Sequence, residues 1–222
     1  MLDGTKRGKL LDVTRNLVRN SSLFNTILGQ LTTNVVAFCG GKVILNLADE
    51  QTGKAVKQKF SMFTRNADFF NGTTFNRLLK NTLRETIVGG DCVLLFDDGV
   101  IEGSGKILLF ESEEIVSTTP EAIVQHYGTG AYQSQGKVYS PMGRHIGTVV
   151  SRSQRGVEVA DPDKCFFLHR DPNGSPLERN WFQPANQWRQ GRAVSQAASA
   201  VATIHQLEDL VASELLAARR NS

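Results

Sequence analysis

Apolar residues recur in steps of three or four near the end of the chain. The positions are Val194, Ala197, Val201, Ile204, Leu207, Val211, Leu215 and Ala218. Steps of this size place side chains on one stripe of an α-helix, so residues 192–222 are predicted to form a long amphipathic helix. The last six residues contain neither the glycine nor the proline that commonly ends a helix. A frayed C-terminus explains this ending; the alternative is that the helix is the first limb of something larger and that this chain carries only a front part.

Helical spacing and turn residues predict four more helices in the first ninety residues. They cover residues 9–19, 23–38, 54–70 and 75–88. The apolar positions of the first are Leu10, Val13, Leu17 and Val18, and those of the second are Leu23, Ile27, Leu31, Val35 and Phe38. Ser21 and Ser22 offer an N-cap for the second helix, and pairs of glycines at 40–41 and 89–90 end the second and fourth.

The middle of the chain is rich in short apolar runs of strand length. Strands are predicted at residues 42–47, 92–96, 106–110, 136–140, 145–151 and 165–169, with turn residues at 49–53, 97–99 and 141–144. Residues 170–191 hold three of the six prolines and both tryptophans, which is typical of an irregular connection. The fold class is therefore α+β, with N-terminal helices packed on a mostly antiparallel, β-rich middle and one long C-terminal helix.

Composition is that of an ordinary globular protein, with 40% hydrophobic and 21% charged residues and a net charge of +3. The charges are unevenly distributed. Residues 1–20 carry Lys6, Arg7, Lys9, Arg15 and Arg19, whereas residues 97–121 carry Asp97, Asp98, Glu102, Glu111, Glu113, Glu114 and Glu121. Opposite charges on two regions suit head-to-tail packing of copies, although a solvated surface explains them equally well.

The sequence has no apolar run long enough to span a bilayer and no signal-peptide core after its basic start. Cys39, Cys92 and Cys165 lie far apart in apolar surroundings. Buried free thiols in a reducing cytoplasm explain them better than disulfides or a metal site.

Candidates for catalysis are few. Residues 103–106 resemble a phosphate loop, but they lack its first glycine and its Ser/Thr, so a hairpin is favoured. The four histidines, His126, His145, His169 and His205, have no partner at metal-ligand spacing. Glu113 and Glu114 are adjacent and would point to opposite faces of a strand. We therefore predict no enzymatic activity and no cofactor.

A basic face on the third predicted helix is the main candidate for contact with nucleic acid. It consists of Lys54, Lys57, Lys59 and Arg65. Such a face usually contacts water, and its alternative role is to contact phosphates without reading sequence. No zinc-finger spacing, RNA-binding aromatic motif or basic zipper is present.

Six segments, taken in order, carry a resemblance to a known family. They are residues 14–41, 68–96, 108–115, 136–147, 162–169 and 189–218. The first contains Arg15-Asn-Leu-Val-Arg-Asn20, the second contains Gly89-Gly90-Asp91, and the last contains Gln190-Gly191-Arg192. In this order they resemble the N-terminal part of a tailed-phage portal protein of the lambda-like family, with Thr33 standing where the family usually has aspartate.

The resemblance implies a structural role without catalysis. It predicts a wing-like α+β domain over residues 1–169, an irregular connector over 170–191, and the start of a stem-like helix over 192–222, with the clip and crown absent. Portal subunits form a ring, usually of twelve, at one capsid vertex of the virion, after assembly in the host cytoplasm. The implied partners are further copies, double-stranded DNA, the terminase, the capsid and head–tail adaptors, with no membrane.

The resemblance also gives roles to particular residues. The apolar stripe of the C-terminal helix, from Val194 to Leu215, would pack beside copies of itself. Arg219 and Arg220, together with Lys54, Lys57 and Lys59, would face DNA, although the two arginines also favour the negative end of the helix dipole. Two other functions stay open: a portal-derived soluble DNA-binding or interaction protein, and an enzyme using His126, His145 and Glu113.

Overall fold

The computed structural model describes residues 4–39, 49–70, 72–97, 105–152, 156–160, 164–169, 192 and 195–220. The six α-helices in these ranges are α1 (Gly4–Asn20), α2 (Ser22–Cys39), α3 (Glu50–Arg65), α4 (Phe75–Val88), α5 (Pro120–Tyr127) and α6 (Val201–Arg220). The seven strands are β1 (Asp91–Asp97), β2 (Lys106–Phe110), β3 (Tyr132–Ser134), β4 (Lys137–Tyr139), β5 (His145–Arg152), β6 (Gly156–Ala160) and β7 (Cys165–His169). The α+β fold class with a long C-terminal helix is confirmed.

The strands form two antiparallel sheets. The first has the order β2-β1-β7 and the second the order β3-β4-β5-β6. One face of the first sheet packs against the second through Val93, Phe110 and Val150. Its other face packs against α3 and α4, where Leu78 contacts Leu94. The described residues therefore stack helices, sheet, sheet and α5 in successive layers.

A separate apolar cluster joins the helices at the start of α6. It contains Leu17, Phe24, Leu28, Ile87, Val88, Ala197 and Ile204. These residues come from α1, α2, α4, the 3₁₀ turn Gln196–Ala200 and α6. The start of the C-terminal helix is thus packed on the N-terminal helices, and these seven residues are called the root cluster below.

The predicted helix at 54–70 has different ends in the structure. It begins at Glu50 because the Asp49 side chain accepts hydrogen bonds from the backbone N–H groups of Gln51 and Thr52. Asp49 is therefore an N-cap, where the sequence pattern predicts a turn. It ends at Arg65 because the following backbone pairs with β2, where Phe69 donates to the carbonyl of Ile107. The helix at 75–88 is confirmed at both ends.

In α2, the apolar row expected from the sequence is not the buried row. The helix buries Phe24, Leu28, Thr32 and Val36, whereas Ile27, Leu31 and Val35 are exposed. Apolar residues occupy two sides of this helix, so periodicity alone could not select the inner one. Ser21 does act as the N-cap, because its Oγ accepts from Phe24 N at 3.0 Å.

The predicted strands at 92–96, 106–110, 145–151 and 165–169 are present, and Pro141–Arg144 forms the expected turn before β5. Strands β3 and β6 and helix α5 were not predicted. The start of α5 has a recognisable signal, because Thr119 caps it and Pro120 occupies its first turn. The predicted strand at 42–47 and the connector at 170–191 lie outside the described residues.

Candidate functional site

A buried carboxylate ties the C-terminal helix to the first sheet. Asp91 begins β1 directly after α4 and is fully buried. The Arg192 guanidinium, which lies shortly before α6, donates from Nε to Asp91 Oδ2 at 2.6 Å and from Nη2 to Oδ1 at 2.8 Å. This bidentate geometry is the strongest arrangement of an arginine and a carboxylate. It fixes the root of the long helix to the start of the sheet.

The remaining donors of Arg192 are also paired. Its Nη2 donates to the carbonyl of Ser112 at 2.8 Å, and its Nη1 donates to the carbonyls of Ile115 and Gln135 at 3.1 and 3.2 Å. The side chain therefore joins two chain segments besides that of Asp91, residues 112–115 and the turn at Gln135. A buried arginine is tolerated only when its charge and its donors are satisfied in this way.

Asp91 also binds residues of α1 and of the segment after β2. Arg7 of α1 donates to Oδ1 at 2.9 Å, and Ser112 Oγ donates to the same oxygen at 2.6 Å. Burial alone would raise the pKa of Asp91, but the hydrogen bonds and positive charges of Arg192 and Arg7 outweigh it and hold the pKa below its ordinary value. Asp91 is therefore ionised at neutral pH.

A second ion cluster lies beside the first. Arg15 of α1 contacts Glu85 at 2.7 Å, Glu111 at 3.0 Å and Glu113 at 2.9 Å. Burial raises the pKa of Glu85 to about 7 and outweighs the opposing effects of Arg15 and of the Ser112 N–H, which donates to Glu85 at 3.1 Å. Glu85 thus titrates near neutrality although it is ion-paired.

These clusters account for part of the uneven charge distribution. Arg7 and Arg15 of the basic start are paired with carboxylates of the same chain, and two of those carboxylates belong to the acidic region at 97–121. Charges neutralised within the chain are not offered to a neighbouring copy. For Arg7 and Arg15, separation from the acidic region along the sequence does not mean separation in space.

The turn between α4 and β1 has little room for a side chain. A Cβ on Gly89 would collide with the Glu85 carboxylate and would lie 2.8 Å from the Ser112 Cβ. Gly90 adopts φ 90°, a left-handed conformation that favours glycine. The two glycines let the chain turn tightly enough to bring Asp91 between the two arginines.

The predicted stripe of the C-terminal helix divides into two parts. Ala197 and Ile204 are buried and Val201 is half-buried against the root cluster, whereas Leu207, Val211, Leu215 and Ala218 are exposed. Val194 lies outside the described residues. Two polar contacts reinforce the root, since Ser195 Oγ donates to the carbonyl of Ile87 at 3.1 Å and Ser21 Oγ donates to Glu208 at 2.5 Å. The stripe leaves the core about one turn beyond Ile204.

The residues predicted to face DNA are all exposed. Arg219 and Arg220 occupy the last turn of α6. On α3, Lys54 pairs with Glu50 at 2.8 Å, while Lys57 and Lys59 are two positions apart. Residues two apart on a helix point to different sides. The three lysines therefore form a charged helix and not a single basic face.

The residues considered for catalysis do not form a site. His126 is exposed, and Glu113 is paired with Arg15. His145 is half-buried beside Thr148 Oγ1 at 3.2 Å, and burial, with a contribution from the charge of Lys137, lowers its pKa to about 4. Glu113 and Glu114 lie in a 3₁₀ turn, not in a strand as expected, where the Glu114 carboxylate accepts from Glu111 N at 2.8 Å.

Other chemical possibilities receive no support from the described residues. Lys106, the lysine of the rejected phosphate loop, lies in β2 and donates to the carbonyl of Asn66 at 2.7 Å. Cys92 and Cys165 are buried free thiols, as expected, and burial raises the pKa of Cys92 well above its ordinary value. Within the described ranges, His, Cys, Asp and Glu form no group of three or more that could hold a metal ion. None of the described helices is both long and apolar enough to cross a membrane.

Sequence reasoning did not identify Asp91 and Arg192 as partners. The sequence does offer one signal for Asp91, which stands at the edge of the apolar run Cys92–Phe96. A charged residue at a buried position requires a partner of opposite charge. Both residues lie in segments that carry the family resemblance, Gly89–Asp91 and Gln190–Arg192. The structure joins these two distant segments, which are 101 positions apart, through one ion pair.

The described chain is thus an α+β domain whose long terminal helix is fixed to it by a buried ion pair and is exposed along most of its length. The family described as phage portal protein, lambda family, matches residues 4–222. This chain belongs to that family of phage portal proteins. Membership gives it a role in the phage portal, self-association, and a place at the capsid vertex of the virion. A comparison with curated proteins finds no match to this sequence.

Proposed function

We propose that this chain is a subunit of a portal ring that serves capsid assembly, DNA packaging and DNA passage. The observation that carries the proposal is the exposed half of the α6 stripe. Leu207, Val211 and Leu215 continue the line of the buried Ile204 but have no cover in the described structure. A protein that buried this helix only against itself would not keep an apolar stripe in water. Contact between copies supplies the missing cover.

Mass measurement and negative-stain imaging of the purified protein test the ring directly. We expect closed rings for the natural sequence. The double variant Val211→Asp/Leu215→Asp places charges on the stripe and should shift the protein to monomers. Ser213→Asp is the matched control, because Ser213 is exposed on the opposite side of the same helix. Rings in the double variant would contradict a role for the stripe, and monomers of the natural sequence would contradict ring formation by this chain.

We further propose that residues 1–169 act as the wing-like domain, residues 170–191 as the connector, and residues 192–222 as the start of the stem. The pairing of Arg192 with Asp91 supports this division, because it holds the first residue of the proposed stem against the proposed wing. Hydrogen exchange tests it. Amides of α6 near Ile204 should be protected together with those of β1, while amides near Leu215 should exchange faster in the monomer.

Double-stranded DNA is the proposed occupant of the channel, with Arg219, Arg220, Lys54, Lys57 and Lys59 as candidate phosphate contacts. Their exposure and charge support this role, since such contacts need no base readout. Arg219→Ala/Arg220→Ala in assembled particles should reduce DNA retention, and more strongly at low salt. Unchanged packaging and retention at every salt concentration would leave only their favourable interaction with the α6 dipole, worth about 0.3–1 kcal/mol.

The terminase, the capsid and the head–tail adaptors are the proposed partners in the virion, following assembly in the host cytoplasm. Family membership supports these assignments. Co-purification of tagged subunits with the terminase before packaging, and with adaptors afterwards, would test them. Tight, steeply salt-dependent DNA binding by a monomer would instead favour a portal-derived DNA-binding protein.

A further inference from the structure

Helix α4 carries a row of three cations on its outer side. Arg77, Lys80 and Arg84 are separated by three and four residues, so their side chains lie along one side of the helix. Within the described ranges, none of the three lies within ion-pair distance of a carboxylate. From Arg77 to Arg84 the row is about 10 Å long, at about 1.5 Å per residue.

The side of α2 that contacts this row is polar and uncharged. Lys80 Nζ lies 3.5 Å from Thr33 Oγ1, and Arg84 donates to Asn25 Oδ1 at 3.2 Å. Asn25 and Thr33 are both exposed. None of the residues Ser22–Cys39 is Asp, Glu, Lys or Arg, so α2 does not neutralise the row. The three cations together with Asn25 and Thr33 are called the α4 basic surface below.

Acidic residues are scarce in the helices that form this surface. The chain has no acidic residue between Asp12 and Asp49. The one carboxylate of α4, Glu85, is buried and is paired with Arg15. A helix side that only keeps a protein soluble commonly alternates the sign of its charges, whereas a row of one sign attracts ions of the opposite sign. The α4 basic surface is therefore suited to a polyanion.

The polarity of the surface favours nucleic acid over an acidic protein. The exposed large apolar side chains of the described structure include none from α4, so the row lacks the apolar core of a protein interface. Protein–DNA interfaces are polar and positively charged, and Asn and Thr join Arg and Lys in contacting phosphate. Binding of single strands relies on aromatic side chains, and residues 77–84 contain none.

We propose that the α4 basic surface contacts the sugar–phosphate backbone of double-stranded DNA. This inference rests on the proposed contact of the subunit with DNA, and it adds a surface separate from Arg219, Arg220 and the lysines of α3. The row of about 10 Å matches the axial rise of about three successive phosphates on one strand, at about 3.4 Å each. Its three cations therefore pair with phosphates and read no bases.

Fluorescence anisotropy with a short labelled duplex, measured at several salt concentrations, tests the proposal. Arg77→Gln/Arg84→Gln should lower the slope of log K against log salt by about 1.8, since each lost phosphate contact removes about 0.9, and should weaken binding at least about tenfold near 0.1 M salt. Lys9→Gln/Arg19→Gln is the matched control, because it removes two exposed cations from α1. The control should change the slope by less than about 0.5. Two duplexes of unrelated sequence should behave alike.

A second variant keeps binding apart from folding, because Arg84→Gln also removes the hydrogen bond to Asn25. Arg77 forms no hydrogen bond or ion pair with the part of the chain that the structure describes. Arg77→Gln should therefore leave the melting temperature unchanged and lower the salt slope by about 0.9. Arg77→Lys keeps the charge and should bind the duplex like the natural protein.

The other outcomes separate this inference from the proposed function. If the natural protein binds the duplex and Arg77→Gln/Arg84→Gln has the same slope as the α1 control, the inference is overturned and the DNA contact is left to other cations. If the natural protein binds no DNA at any salt concentration, the proposed DNA contact fails with it. Tighter binding of polyglutamate than of the duplex would overturn the inference in favour of an acidic protein. Tighter binding of a single strand of equal length would overturn it in favour of single-stranded nucleic acid.

Discussion

Replacing Asp91 by asparagine removes the charge at the centre of the buried cluster while keeping the side-chain shape. In the natural protein this carboxylate neutralises Arg192, which is 3% exposed, and Arg7, which is 13% exposed. After the change both guanidinium groups stay buried, and the new amide NH₂ faces donors. Breaking a buried pair by removing one partner costs about 3–5 kcal/mol. Domains of this kind have total stabilities of about 5–15 kcal/mol, so Asp91→Asn removes a large fraction.

Urea unfolding followed by circular dichroism measures this loss. With a slope of about 2–3 kcal/mol per molar urea, a loss of about 4 kcal/mol lowers the midpoint by roughly 1.3–2 M. Asp209→Asn is the control, since Asp209 is exposed on α6, and it should change stability by less than about 0.5 kcal/mol. Hydrogen exchange should show lost protection at the root of α6, near Ile204.

The same reasoning predicts a pH dependence and a coupling. Because the pKa of Asp91 is lower in the folded than in the unfolded state, its stabilising effect is present above about pH 4 and is lost as the pH falls below that value. The double variant Asp91→Asn/Arg192→Met should lose less stability than the sum of the two single changes. A stability of Asp91→Asn within 1 kcal/mol of the natural protein, with α6 equally protected, would refute the role of the ion pair as the anchor.

Three other changes test the ionic and apolar interior. The natural protein should lose stability between about pH 4.5 and pH 7, by at most about 3.5 kcal/mol at 1.4 kcal/mol per pH unit, because the folded pKa of Glu85 is raised to about 7. Glu85→Gln should abolish this decline, and parallel stability curves for the two proteins would contradict the reasoning. Lys137 is buried, which lowers its pKa to about 8, so the natural protein should gain stability as the pH rises from 8 towards 10. Lys137→Met should remove that gain and raise the melting temperature at pH 7. A lower melting temperature would show that the contact of Lys137 with the Phe167 ring, 3.9 Å away, stabilises the protein by more than the burial of the charge destabilises it. Leu94→Asp should lower the free energy of unfolding by several kcal/mol, since it places a charge between the first sheet and α4. An unchanged midpoint in urea would mean that the middle of the chain is not a core.

Local signals in the sequence predicted most of the elements. The helix at 75–88 has an apolar side, a threonine before it and two glycines after it, so periodicity and turn chemistry agree on both ends. The strands β1 and β7 are continuous apolar runs, which is how strands buried on both faces look. Short strands such as β3, with three residues of mixed polarity, carry too little periodic signal to be recognised.

Contacts between distant segments could not be predicted from a single sequence. Asp91 and Arg192 each look like an ordinary charged residue, and only the folded chain brings them together. The same holds for α2, where the inner side was decided by packing on α1 and α4 and not by the strength of the apolar pattern. The exposed row on α2 therefore became visible only when the buried row was known.

The way Arg192 is held has a mechanical consequence. Its side chain precedes α6 and is bound to Asp91 and to the carbonyls of Ser112, Ile115 and Gln135. A pull or a twist applied along α6 therefore reaches β1 and the second sheet through this guanidinium, without passing along residues 170–191. The five N–H groups of Arg192 distribute this force over several hydrogen bonds. A lysine has three donors on a single nitrogen and could not bind the same acceptors in the same directions. A force applied to α6 would thus reach the body of the subunit through this arginine as well as through the apolar cluster around Ile204.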